Sequence, residues 1–171
     1  MSKNGLQLTM ISVLVILLAV LSAVALAAMT PGAAAPAGPA GADREGTVAD
    51  GRLPGYEDQP GNDNPSAFYY TVGSRITFNR PAAAGKVMLE NIPGNRYDMR
   101  VYFELAETGE VVYTSPVLKA GQHLEEDYLD KELEKGEYDA TAVIAALDPD
   151  TGAEMTDFTE NITIVVKNKL F

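Results

Sequence analysis

The sequence predicts an all-β fold: a two-sheet antiparallel β-sandwich of seven or eight strands over residues 66 to 171. Three observations indicate this fold. Apolar residues occupy every second position in one short segment after another, which is typical of strands with one buried face. Gly, Pro and Asn residues that favour turns separate these segments. No helical run lies between them to connect parallel strands, so a βαβ arrangement is disfavoured.

The chain begins with an apolar segment over residues 6 to 29, interrupted only by Gln7 and a few Ser and Thr residues. This length suffices for a helix that crosses a bilayer, which takes about 20 residues. Because Lys3 is the nearby cation, the positive-inside rule keeps the N-terminus in the cytoplasm and exports the rest. We expect residues 1 to 29 to be a single-pass membrane anchor or a cleaved signal peptide, since small residues near Ala25 suit a signal peptidase.

Residues 30 to 65 are rich in Ala, Gly and Pro, contain few branched apolar residues and carry more acidic than basic side chains. Such a composition does not provide a hydrophobic core, and its charges favour solvation. The sequence therefore predicts an acidic, disordered linker here, which holds the following domain away from the membrane.

The clearest strand of the domain covers residues 97 to 105. One face of it carries the apolar residues and the other carries polar ones. The same alternation predicts further inward-facing residues in five segments: Ile76 and Phe78; Val87 and Leu89; Val111 and Tyr113; Tyr138, Ala140, Ala142 and Ile144; Ile162, Ile164 and Val166. Residues 124 to 133 are strongly acidic, and we interpret them as an edge strand followed by a turn.

Charge and composition exclude several classes of function. The net charge of −11 makes binding to nucleic acid improbable, because such binding requires cations that neutralise phosphates. The absence of Cys excludes thiolate metal sites and thiol nucleophiles. Ser115 and His123 form the nearest approach to a nucleophile and base, and no Gly-x-Ser-x-Gly elbow surrounds any serine. We predict a protein that is not an enzyme, has no catalytic residues and needs no cofactor.

Two groups of residues are candidates for binding. Asp148, Asp150 and Glu154 offer the carboxylate oxygens that calcium prefers, although Asp-Pro-Asp-Thr-Gly is also a typical hairpin turn. Tyr70 and Tyr102 are expected on exposed strand faces, where tyrosine makes good contacts with a protein or a glycan partner.

The segment from Leu133 to Tyr138 has the pattern L-x-x-G-x-Y at the entry to a strand, where the tyrosine of an immunoglobulin-like sandwich caps the backbone at the sheet corner. From about residue 68 the chain resembles small exported immunoglobulin-like proteins of Gram-positive bacteria. The resemblance implies an immunoglobulin-like fold in which Tyr138 has a structural role. It rests on this pattern and on four further turn-rich segments, at residues 93 to 97, 108 to 115, 119 to 122 and 148 to 152.

A weaker similarity links residues 110 to 138 to a bacterial intracellular proteinase inhibitor domain. Taken together, these features favour a non-enzymatic, extracytoplasmic module that is tethered to or secreted from a bacterial cell. Its expected role is surface binding, adhesion or assembly, with an unknown protein or glycan as partner. Two alternatives stay open: a surface-filament subunit built on the N-terminal helix, and a proteinase inhibitor.

Overall fold

A computed structural model describes residues 44 to 168, which are all-β and contain no helix. The all-β prediction is therefore confirmed for this part of the chain. No helix of the described residues is long and apolar enough to cross a membrane. The apolar helix predicted over residues 1 to 29 lies outside the described residues, as do residues 30 to 43 of the predicted linker.

Nine strands follow one another along the chain. They are β1 (Ala49–Asp50), β2 (Tyr70–Thr71), β3 (Arg75–Phe78), β4 (Gly85–Asn91), β5 (Asp98–Leu105), β6 (Val111–Thr114), β7 (Gln122–Asp127), β8 (Gly136–Leu147) and β9 (Glu154–Val166). Most lie where the period-2 alternation predicts strands, and the segment around residue 124 is a strand as expected. β7 is not a free edge along its whole length, because β1 pairs with it at His123 and Gln122.

The strands form one curled sheet in the order β1-β7-β4-β3-β9-β8-β5-β6, and β2 pairs with β4 beside this path. An antiparallel arrangement was predicted, but the sheet is mixed, because one of its strand pairs is parallel. On one side, β3 pairs with β4 through a single antiparallel residue pair, Phe78 and Gly85. On its other side, β3 pairs in parallel with β9 over Arg75 to Phe78. β3 therefore connects the β4–β7 part of the sheet with the β9–β8–β5–β6 part.

The buried face of the sheet carries the predicted alternating residues. Fully or almost fully buried side chains come from seven strands, among them Ile76, Phe78, Val87, Leu89, Met99, Val101, Phe103, Tyr113, Leu124, Ala142, Ile144, Ile162 and Ile164. Val111 was expected inside but is exposed, because the register between β5 and β6 shifts beside it. The resulting bulge buries Val112 and Tyr113 together, so both neighbours contribute to the core.

The folded unit begins upstream of residue 66, which differs from the prediction of a disordered linker up to residue 65. β1 pairs with β7, and the Leu53 side chain is completely buried. Arg52 forms an ion pair with Glu90, which is itself fully buried on β4. Because this segment has an apolar anchor and a partner for a buried charge, it packs against the sheet despite its Gly and Pro content.

Three buried asparagines bind the N-terminal segment to the sheet. Asn62 Nδ2 donates to Asn95 Oδ1 at 2.8 Å, and Asn95 Nδ2 donates to Asn91 Oδ1 at 2.6 Å. Asn91 Nδ2 in turn donates to the backbone carbonyl of Leu118 at 2.8 Å. Since buried amides are costly unless they are hydrogen-bonded, this chain of satisfied groups fixes the position of the 62 to 69 loop.

Candidate functional site: the open edge of β9

The upstream half of β9 has a strand neighbour on one side only. β8 pairs with β9 from end to end, whereas β3 pairs only with Thr163 to Val166. All eight residues from Glu154 to Asn161 are exposed. Within the part of the chain that the structure describes, this half of β9 therefore presents an open sheet edge, which is a template for pairing with another strand.

The direction of the backbone groups along this edge follows from the hydrogen bonds downstream. The Thr163 N–H donates to the carbonyl of Ser74 at 2.9 Å, so residue 163 directs its N–H toward the β3 side. The register with β8 runs without a shift from Thr156 to Val166. Since successive residues of a strand point their N–H and C=O groups to opposite sides, Asp157, Thr159 and Asn161 direct theirs to the open edge.

An aromatic cluster lies beside this edge. The Phe158 ring stacks on Phe68 with a centroid distance of 5.9 Å and lies 5.8 Å from the Tyr70 ring. The Tyr70 hydroxyl donates to Glu160 Oε1 at 3.1 Å. Partial burial, together with the hydrogen bond and the negative charge of Glu160, raises the pKa of Tyr70 to about 12. Phe158 keeps about a third of its surface exposed, so it offers apolar contact to a partner.

The open edge is acidic. Glu154, Asp157 and Glu160 lie along it, and β9 contains no Lys or Arg. Acidic side chains on an edge strand discourage pairing with a second acidic strand. The same charges attract a strand that carries cations, which gives this edge a selectivity beyond its backbone groups.

The structure separates the two tyrosines that were predicted to contact a partner together. Tyr70 contacts Phe158, whose register partner Ile144 is buried in the core, so this cluster lies on the inner side of the sheet. Tyr102 is next to the buried Phe103 in β5 and points to the outer face. They therefore do not form one patch, and only Tyr70 belongs to the β9 edge.

The residues considered for calcium form a hairpin turn between β8 and β9. Asp148 Oδ1 accepts hydrogen bonds from the Thr151 N–H and the Thr151 hydroxyl, both at 2.8 Å, and from the Asp150 N–H at 3.1 Å. The bonds from Thr151 hold the pKa of Asp148 below its usual range. No group of three His, Cys, Asp or Glu side chains among residues 44 to 168 is arranged to hold a metal ion. These hydrogen bonds are those of a hairpin turn closed by an Asp side chain.

The other residues singled out in the sequence have local partners. The Tyr138 hydroxyl donates to the carbonyl of Glu134 at 2.9 Å, which is the contact described for a sheet-corner tyrosine. Ser115 is buried, where its hydroxyl donates to the carbonyl of Pro116. His123 Nδ1 lies 2.9 Å from the carbonyl of Gly51. Ser115 and His123 thus have separate partners and do not form a nucleophile–base pair.

The sequence did not identify β9 as a site, because its open edge results from a difference in strand length. β9 has 13 residues whereas β3 has four, so one strand extends far beyond its neighbour. The acidic residues of β9 indicated only weakly that this strand is exposed. Phe158 did not fit that pattern, because it is a large apolar residue among them. No family model, curated protein or solved structure matches this chain.

Proposed function

We propose that this protein is a non-enzymatic, extracytoplasmic binding module at a bacterial cell surface, which pairs with an extended strand of a partner protein. The observation that carries this proposal is the open edge of β9, where Asp157, Thr159 and Asn161 direct backbone groups outward. Strand addition to a free edge gives affinity through main-chain hydrogen bonds and specificity through side-chain contacts.

The partner strand is basic. Asp157 lies on the outer face of β9, opposite to Phe158 and Glu160, so lysine or arginine at the outward-facing positions of the partner gives favourable electrostatics with it. A second copy of β9 fits poorly, since antiparallel pairing of two such strands brings acidic residues near acidic residues. Apolar side chains at alternate positions of the partner would contact Phe158, which is partly exposed.

We also propose that the curled sheet is an immunoglobulin-like sandwich. Support comes from β3, which pairs with β4 on one side and β9 on the other, so that both parts of the sheet face a common core. The hydrogen bond from Tyr138 to the Glu134 carbonyl supports the same proposal. In this arrangement β9 lies at the junction of the two sheets.

The domain is proposed to lie outside the cytoplasmic membrane, held by residues 6 to 29 as a single-pass anchor, or to be secreted after cleavage. The apolar length of this segment and the position of Lys3 support this placement. N-terminal sequencing of the protein from intact cells decides between the two. A mature chain that starts near Leu26 or Ala28 identifies a signal peptide, whereas an intact N-terminus identifies an anchor.

Strand addition is tested with the variant Thr159→Pro. Proline removes the N–H that points to the open edge but leaves the bonds between β8 and β9 in place, because those come from the neighbouring residues. The matched control is Thr159→Ala, which removes the same side chain but keeps the N–H. Both variants are prepared as full-length chain in detergent micelles, and circular dichroism verifies that each is folded.

The probe is a synthetic decapeptide of alternating Lys and Val, with alternating Glu and Val as its acidic counterpart. Fluorescence anisotropy is expected to show that the Lys peptide binds and the Glu peptide does not. The affinity for the Lys peptide should fall as salt is added. Thr159→Pro should weaken this binding at least tenfold, while Thr159→Ala stays within about threefold. Equal binding to Thr159→Pro and wild type would overturn strand addition, since both carry the same charge.

A further inference from the structure

A second surface feature lies beside β2, and none of its lining residues belongs to β9. It is an open groove of about 920 Å³, formed between the segment from Arg52 to Asp63 and the strand that begins at Tyr70. Tyr56 and Tyr69 line it and keep 40% and 49% of their surface exposed. Ligand pockets have volumes of about 300 to 1,000 Å³, and the groove lies within this range.

The walls of this groove are held in place by buried polar contacts. Arg52 pairs with the buried Glu90 and also donates to the backbone carbonyl of Gln59. Asn62 is fixed through Asn95, and the Asn62 N–H donates to the carbonyl of Pro93 at 2.7 Å. Because these bonds lie within the protein itself, they fix the walls of the groove, and a rigid site loses little conformational entropy on binding.

The same contacts neutralise the positive charge of Arg52, which lines the groove. Arg52 is engaged by Glu90, and Asp63 adds a carboxylate to the lining. A net charge of −11 on the chain adds to the repulsion of anions. An anionic ligand such as a phosphate or an acidic sugar is therefore disfavoured.

Four hydrogen-bonding groups of the lining stay available. The hydroxyls of Tyr56 and Tyr69, the side-chain amide of Gln59 and the carboxylate of Asp63 have no hydrogen-bond partner among the described residues. Exposed aromatic faces pack against the C–H faces of sugar rings, and amide and carboxylate groups bind neighbouring sugar hydroxyls. A proline-rich peptide would also pack on the tyrosines, but proline has no N–H to donate to the Asp63 carboxylate, whereas each sugar hydroxyl both donates and accepts.

We propose that this groove binds a neutral oligosaccharide, in which Tyr56 and Tyr69 stack on sugar rings while Gln59 and Asp63 bind hydroxyl groups. The site is distinct from the backbone edge of β9, so a glycan and a protein strand would bind to different surfaces of one domain. Tyr70 contributes to both regions, as it lines the groove and contacts Phe158.

The test uses full-length chain in detergent on an array of neutral oligosaccharides, namely β-linked glucans, mannans and N-acetylglucosamine oligomers, with sialylated glycans and a proline-rich decapeptide included. The best neutral ligand is then titrated by calorimetry. We expect Tyr56→Ala and Asp63→Ala each to weaken its affinity at least tenfold. Tyr102→Ala, a tyrosine on the outer face, should change it less than twofold, and Thr159→Pro should leave it unchanged.

Three outcomes would overturn the proposal. The first is no binding of any neutral oligosaccharide at millimolar concentration. The second is glycan binding that Tyr56→Ala and Asp63→Ala leave intact while circular dichroism shows both folded. The third is binding of the proline-rich peptide in place of the glycans. Loss of glycan binding in Thr159→Pro would contradict the separation of the two sites.

Discussion

Tyr113 and Asp127 form a hydrogen bond inside the protein: the Tyr113 hydroxyl donates to Asp127 Oδ2 at 2.9 Å, and both residues are buried. The other carboxylate oxygen of Asp127 accepts the N–H groups of Gly46, at 2.6 Å, and Tyr128, at 2.8 Å. One buried carboxylate thus joins β6, the end of β7 and the N-terminal segment.

Replacement of Tyr113 by Phe should destabilise the domain by about 1 to 3 kcal/mol, because Asp127 Oδ2 loses its donor while it stays buried. The free energy of unfolding is measured by urea denaturation at pH 7. Tyr102→Phe removes a hydroxyl from the outer face and should change the value by less than about 0.5 kcal/mol. Equal effects of the two substitutions would contradict a stabilising role for the Tyr113 bond.

The domain should lose stability at alkaline pH. Burial raises the pKa of Tyr113 far above its ordinary value near 10, and the negative charge of Asp127 nearby raises it further. The unfolded chain therefore releases the Tyr113 proton above about pH 10 while the folded chain keeps it, so the free energy of unfolding falls as pH rises. Urea denaturation between pH 9 and pH 11 measures the slope.

Tyr113→Phe should flatten this slope, and Tyr70→Phe should flatten it by a similar amount up to pH 11; the two variants should differ only near pH 12 and above, where folded Tyr70 also releases its proton. The pKa of Tyr70 is raised only to about 12, and its ring is partly exposed. A Tyr113→Phe slope equal to that of wild type would show that other groups cause the alkaline loss.

Asn95 is expected to be one of the most sensitive polar positions. Its Oδ1 accepts from Asn62 and from the Tyr69 N–H, and its Nδ2 donates to the Tyr69 carbonyl and to Asn91. Asn95→Ala leaves several of these groups buried without partners and should cost at least about 2 kcal/mol. Thermal and urea unfolding measure this, with the exposed Asn64→Ala as control, for which we expect less than about 1 kcal/mol.

Leu53 provides a test of where the folded domain begins. Leu53→Ala removes a completely buried side chain and should lower the free energy of unfolding by about 2 to 5 kcal/mol. Val111→Ala, at a position that is 44% exposed, should have little effect. Limited proteolysis should also cleave the segment from residue 50 to 65 faster in Leu53→Ala. A negligible change would support the disordered linker that the composition predicts.

Alternating residues made most strands predictable, because a strand with one buried face repeats every two residues whatever its neighbour is. The pairing of those strands depends on contacts distant in sequence, so neither the parallel β3–β9 pair nor the position of Tyr102 relative to Tyr70 could be inferred. The burial of Leu53 could not be predicted, because a single apolar residue among Gly and Pro has no periodicity. The two proposed binding surfaces could not be inferred either, because both depend on how segments distant in sequence pack together.

The pairing of β3 with β9 unites the early and the final strand of the domain. Contacts between distant segments form slowly, since a long loop must close before they add stability. The sheet is therefore completed only when the C-terminal strand is available, after synthesis of the whole domain. A chain truncated before β9 would leave β8 paired only with β5 and β3 paired only with β4 at Phe78, so it would expose the strand edges that β9 covers in the complete protein.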